Sequence, residues 1–350
     1  MKKYLVLENG KVFAGEAFGA DRDAIAEIVF NTAIVGFVDI LTDPCYAGQA
    51  VCQTFPLVGN YGVFALDEAK DKTYASAYIV REYAKEPSNF RCERDLNSFL
   101  VAHDIPGICG IDTRELTKIL RENGTMNGAI VSDPDSVDLE TIKNYRIGNA
   151  VSSLSTKEAY TVNAGGKYKI AMPDLGSAAG IIETLANMDC EIRVLPYDTK
   201  ADEILALNPD GIVLPDGPGD PAENKETIET VKSLLGKLPM IGIGEGHLLL
   251  ALANGIHVKK LKHGHHGVNH PVRNCRNNQM YITNQNHNYG VELADTADAE
   301  MLLVNINDNT CEGLLYKNVP ALSVQFHPEN SGGPKSMLYL YEMFLEMLNK

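Results

Sequence analysis

The sequence predicts a two-domain α/β protein: a mixed α/β N-terminal domain over residues 1–150 and a C-terminal domain over residues 169–350 on a parallel-rich sheet. Three observations predict it. The chain has 350 residues, more than one domain usually holds. From residue 169 onward short apolar runs alternate with helical patterns, the spacing of right-handed strand–helix–strand units on a covered parallel sheet. Between them the chain is polar over 151–168, with Ser152-Ser153, Ser155-Thr156 and Gly165-Gly166, and reads as an interdomain linker.

In the first domain Leu5-Val6-Leu7 reads as a strand that ends at Asn9-Gly10, a strong hairpin signal. Glu27 to Thr32 reads as another. Gly36, Asp43-Pro44 and Gly59-Asn60 punctuate the next stretch of chain. Thr113 to Glu122 has apolar positions three or four apart, with Asp112 placed to cap its start and Asn123-Gly124 to stop it, so it predicts a helix. In the second domain the strands are Lys169 to Met172, Glu191 to Leu195 and Gly211 to Leu214. The helices between them lie near Gly180 to Leu185 and near Ile204-Leu205. Gly217-Pro218-Gly219-Asp220-Pro221 forms a rigid turn directly after a strand. Another short strand, Leu238 to Ile241, leads into Gly242-Ile243-Gly244-Glu245-Gly246-His247 and then the apolar helical run Leu248 to Leu252.

Composition narrows the function. The hydrophobic fraction of 45% and charged fraction of 22% are ordinary for a soluble globular protein. A formal net charge of -15 argues against non-specific nucleic-acid binding and against an anionic membrane surface. No apolar run approaches the roughly 18 residues of a membrane span, and the apolar stretch at Tyr4 to Leu7 is too short for a secretory signal. The seven cysteines are scattered, odd in number and without a C-x-x-C pair, which points to a reduced cytoplasm with neither disulfides nor zinc.

The glycine-rich segment at 242–247 has the layout of a nucleophile elbow. Such a turn lifts one reactive side chain above the sheet at a helix N-terminus, where backbone N–H groups can stabilise an oxyanion. The residue expected between the flanking glycines is Cys or Ser; here it is Gly244, which cannot attack anything. About 80 residues downstream, His327-Pro328-Glu329 has the spacing of a general base and the carboxylate that orients it. The Gly217 to Pro221 turn, the elbow and the His-Pro-Glu triplet each have a structural reading alone, as a tight turn or a buried imidazole; the three in this order within one α/β domain point to a site. The histidine cluster from His263 to His270 has no Cys or carboxylate among its histidines and is broken by glycines, so a polar loop is expected there rather than a metal site.

Together these residues resemble the small, glutamine-hydrolysing subunit of carbamoyl phosphate synthetase, with a C-terminal half similar to class I (triad-type) glutamine amidotransferase domains. The N-terminal half carries the resemblance in Gly36 to Pro44, Gly59-Asn60-Tyr61-Gly62, Ser88-Asn89-Phe90-Arg91 and Ile111-Asp112-Thr113-Arg114. The C-terminal half carries it in Gly217 to Pro221, Gly264-His265-His266-Gly267, Asn269 to Val272, Gln285-Asn286-His287 and the His-Pro-Glu triplet. The resemblance implies a mechanism: an elbow cysteine attacks the amide of glutamine, His327 is the acid–base, Glu329 orients it, and ammonia passes to a large subunit that uses ATP and Mg. This chain lacks a glycine-rich phosphate-binding loop of the kind that ends in Lys-Ser or Lys-Thr, consistent with ATP residing on that partner. The family role lies in arginine and pyrimidine synthesis.

Measured against that resemblance, the departures gather in the glutamine pocket. Gly244 stands where the cysteine is expected, Glu245 where Leu is usual, and Leu248 where a substrate-contacting Gln is expected. Cys45 occupies a Ser position, Asn288 a Gly position, Tyr289 a Phe position, and Asp216 a position that is often Asn. Gly217, Gly219 and Asn286 are kept. The expected protein is therefore a small-chain homologue that has lost its glutaminase activity and leaves its partner to use ammonia. A regulatory or ligand-binding paralogue is the alternative, with Glu245 drawing a cationic ligand to the pocket. A third reading keeps hydrolysis alive through Cys45 or a water activated by His327.

Overall fold

The turn at Asn9-Gly10 starts a barrel. Gly10, at φ +84°, closes a hairpin in which Lys2–Leu7 pairs antiparallel with Val12–Gly19. In this computed structural model, which describes residues 1–64, 72–292, 298–329 and 335–349, the barrel continues through Pro106–Cys109, Ala77–Ile79, Gln49–Gln53, Ala24–Asn31 and Met126–Val131. The last of these pairs back onto Lys2–Leu7 and closes it. Leu5, Leu7, Ile28, Ile79 and Ile108 fill the core with Leu116 and Leu120. Those two leucines come from the helix Thr113–Asn123, which begins where Asp112 accepts a hydrogen bond from the Glu115 backbone N–H at 2.9 Å and ends at Gly124. The sequence anticipates the strands at Leu5–Leu7 and Glu27–Thr32, the turn after the first, and this helix. Closure into a barrel it does not anticipate.

Contacts divide the chain into Met1–Ile147 with Lys262–His266, and Gly148–Leu261 with Gly267–Lys350. The first unit therefore includes a short segment that returns from far along the chain. The Thr125 backbone N–H donates to the Lys262 carbonyl at 2.7 Å and Thr32 to that of His266 at 3.3 Å. The rings of His263 and His266 lie 5.7 Å from Phe30 and 6.0 Å from Tyr46. Gly124, at φ +99°, sits so close to the Lys262 carbonyl that no Cβ would fit.

Among the described residues the second unit is built on a ten-stranded sheet. Its parallel part runs Cys190–Pro196, Tyr168–Asp174, Gly211–Leu214, Met240–Ile243, Ala321–Val324, and the antiparallel remainder includes Cys311–Tyr316, Met280–Glu292, His257–Asn274 and Ala299–Asn305. Ala179–Asn187 and Ala201–Ala206 are the two connecting helices expected. Ile170, Ile192, Val213, Ile241 and Leu322, all essentially buried, pack with Phe326, Leu340 and Phe344 into the core.

Two segments differ from expectation. The polar stretch 151–168 carries structure: the helix Ala150–Leu154, capped by Asn149, and the strand Tyr160–Val162, which adds antiparallel to Cys190–Pro196. Its three residues, Tyr160, Thr161 and Val162, are exposed or half-buried at the edge of the sheet. The histidine-rich segment is extended strand within His257–Asn274 and not a loop. Gly264, at φ +65°, is accommodated inside the strand, where a glycine can mark a bulge as well as a turn.

Candidate active site

Three neighbouring parallel strands deliver the site. The elbow strand Met240–Ile243 has Gly211–Leu214 on one side, with Leu214 opposite Gly242, and Ala321–Val324 on the other, with Val324 opposite Ile243. Asp216, Gly244 and His327 follow the carboxyl ends of these three strands, where open α/β sheets place their ligands. The elbow residue Gly244 has φ +57° and ψ −114°, and the helix Glu245–Ala253 starts immediately after it. That backbone is the strained strand-to-helix turn expected of an elbow. Its N–H donates to the Val324 carbonyl at 2.9 Å, tying the turn to the strand that leads to His327.

His327 lies between two carboxylates. Its Nδ1 is 2.8 Å from Glu329 Oε1 and its Nε2 is 2.8 Å from Asp216 Oδ2, with side-chain exposures of 14% for His327 and 6% for each partner. Burial by itself would lower the imidazole pKa. The charge on Glu329 and the hydrogen bonds to Asp216 and Glu329 outweigh it, and the ring is held well above its ordinary value. The general base expected from the sequence is thus a buried imidazolium, paired on both nitrogens. Tyr341 donates to Glu329 Oε2 at 2.9 Å and fixes the orienting carboxylate.

In the sequence Asp216 is one departure among several; in the structure it takes the central place. Its Oδ1 accepts from the Glu245 backbone N–H at 2.7 Å and from the Gly217 N–H at 2.8 Å. A Cβ built on Gly244 would fall inside the Asp216 carboxyl group. The carboxylate therefore occupies the space that any side chain on the elbow would need. An acidic residue at 216 together with a glycine at 244 was the available signal; their proximity, through loops on separate strands, was not.

The remaining residues have varied settings. Glu245 is buried, and its Oε1 accepts from Asn224 Nδ2 at 2.8 Å. Burial, with the nearby charge of Asp216 adding to it, pushes its pKa well up. That upward shift works against the attraction of a cationic ligand expected of Glu245. Leu248 is 3% exposed and packs in the apolar cluster with Leu214, Leu250 and Leu314. Gly217 lies against the Leu175 carbonyl with no room for a Cβ, which is a packing reason for this glycine, while Gly219 at φ +101° meets only the Gly148 carbonyl, at 3.6 Å. Asn286, Asn288 and Tyr289 lie on Met280–Glu292, with Asn288 buried. Cys45 belongs to the first unit, buried in the turn Pro44–Tyr46 that Asp43 caps. All seven cysteines are free thiols. Beneath the elbow, buried His247 pairs through Nδ1 with Ser323 Oγ at 2.7 Å, and burial pulls its pKa down to about 3. Among the described residues no helix is long and apolar enough to cross a membrane.

Comparison with known proteins gives a consistent result over both units. Residues 5–130 match the model of the carbamoyl-phosphate synthase small chain, CPSase domain, and residues 172–347 match that of class-I glutamine amidotransferases. The carbamoyl phosphate synthase small chain of Clostridium perfringens is 45% identical over 350 residues, covering 99% of each chain. The carbamoyl phosphate synthase pyrimidine-specific small chain of Bacillus subtilis is 42% identical over 351 residues, covering 99% of this chain and 96% of its own. Among solved structures, a glutamine amidotransferase from Thermotoga maritima superposes with a TM-score of 0.39 at 18% identity, over 51% of this chain and 83% of that one.

Proposed function

Because the chain belongs to the carbamoyl phosphate synthase small-chain family, we propose that it is the small chain of such a synthase with its own glutamine hydrolysis lost. Its partner would be a large subunit carrying ATP and Mg, in the cytoplasm, making carbamoyl phosphate for arginine or pyrimidine synthesis from free ammonia. The supporting observation is the elbow itself. Glutamine hydrolysis by this family's route needs a thiol at 244 to form the acyl-enzyme. Gly244 has none, and the Asp216 carboxylate fills the volume where one would stand. His327, engaged on both nitrogens, has no lone pair with which to take a proton from an attacking group or a water.

The test has two arms. The purified chain is incubated with glutamine and glutamate is followed; turnover clearly above a heat-killed control would refute the loss of hydrolysis. The chain is then mixed with a large synthetase subunit from the same source, and carbamoyl phosphate is assayed with glutamine and with ammonia in parallel. Co-elution with synthesis from ammonia alone is expected. Failure of two well-folded chains to co-elute would favour a regulatory paralogue instead.

A further inference from the structure

We propose that the Asp216 carboxylate is a resident ligand, a small carboxylate held in cis by an anion-binding site that the elbow still retains. Three groups converge on it. The Glu245 N–H at the start of a nine-residue helix and the Gly217 N–H meet one oxygen, and the His327 ring meets the other, all at 2.7–2.8 Å. Two backbone N–H groups beside an elbow are the arrangement that stabilises an oxyanion in acyl transfer. A helix start favours negative charge through its unpaired N–H groups. Here the negative charge belongs to the protein.

An aspartate that merely caps a helix would leave its second oxygen to solvent; that of Asp216 is 6% exposed at the side chain and spent on His327. The absent Cβ at Gly244 is the complementary half of the device, because the carboxyl group and an elbow side chain cannot occupy the same volume. The site thus keeps the charge pattern of a reactive anion beside an imidazolium while holding an anion that is already in place. Removing the carboxyl group should uncover a pocket for a free monocarboxylate of one or two carbons. This shares with the proposed function the reading of 244 as an elbow without a nucleophile, but involves neither glutamine nor a partner, so the two fail separately.

The test uses the full chain. In Asp216→Ala, formate added against chloride at matched ionic strength should raise the melting temperature and saturate, while wild type and Asp216→Asn show no such rise. A folded Asp216→Ala that ignores formate, or a wild type that responds equally, would overturn the proposal. Gly244→Ala is made in both backgrounds: it should lower the melting temperature more when Asp216 is present than in Asp216→Ala, since the backbone strain is common to both and cancels. Equal costs would count against it. Should Asp216→Ala not fold, Asp216→Asn preserves shape and the Oδ1 acceptor but removes the charge. Its His327 ring, followed by NMR, must then titrate nearer neutrality than in wild type, and an unchanged titration would defeat the idea.

Discussion

Replacing His327 by Gln tests the charge arrangement of the site most directly. In the native chain the imidazolium sits 2.8 Å from each of two carboxylates that are 6% exposed. The substitution removes the cation that both of them share and leaves two buried acids facing a neutral amide. Breaking a buried ion pair by deleting one partner typically costs about 3–5 kcal/mol. For a folded unit of this size each kcal/mol moves the melting temperature by roughly 2–4 °C, so a fall of roughly 6–20 °C is expected near pH 6.5. The pH dependence follows from the raised native pKa of His327. Its contribution is complete below the unfolded value of about 6.5 and is lost as pH rises through the native value, because the wild type then gives up the same cation. The gap between variant and wild type should therefore be widest near pH 6.5 and narrow on the alkaline side. Calorimetry of both proteins from pH 6 to pH 10 measures it. A gap that stays below about 2 °C, or one that does not change with pH, would refute an imidazolium bound between two acids.

Two further outcomes concern neighbouring groups. Glu245→Gln should match wild type near pH 4 and melt higher at pH 8. Burial holds the native carboxyl pKa well above its unfolded value, so the wild type loses stability as pH rises past about 4.3; a lower melting temperature for the variant at pH 8 would show that the buried acid is ionised. Ser323→Ala removes the partner of His247 Nδ1 in a ring whose Nε2 also finds no partner among the described residues, and should cost about 1–3 kcal/mol in denaturant unfolding. An unchanged midpoint would mean that water replaces the hydroxyl without loss.

How much could be read in advance depended on range along the chain. The parallel strands and their helices arise from local alternation, and the elbow was visible because a strand, a glycine-rich turn and an apolar helix are contiguous. The His327–Glu329 pair was visible because base and orienter lie two residues apart, and the structure places them in hydrogen-bond contact. Barrel closure was not visible, since it depends on Lys2–Leu7 meeting Met126–Val131, and no local pattern distinguishes a strand in a barrel from one in an open sheet. The extended course of the histidine segment is not legible in the sequence because glycine signals a turn or a bulge with the same letter. In the sequence Asp216 stands out only as a difference. Its effect arises from an absent atom on another strand's turn, at Gly244, and a missing Cβ has no sequence signature beyond the glycine itself.

The segment Lys262–His266 that completes the first unit has a consequence for biogenesis. Residues 148–261 separate it from the rest of that unit. At a synthesis rate of roughly 5–20 residues per second, the barrel emerges and waits on the order of ten seconds before the backbone partners of Thr32 and Thr125 exist. Until then Phe30 and Tyr46 lack the imidazole rings that flank them in the finished protein. A fragment cut at residue 150 is held permanently at that stage, so the first unit is finished only once the greater part of the second has also left the ribosome.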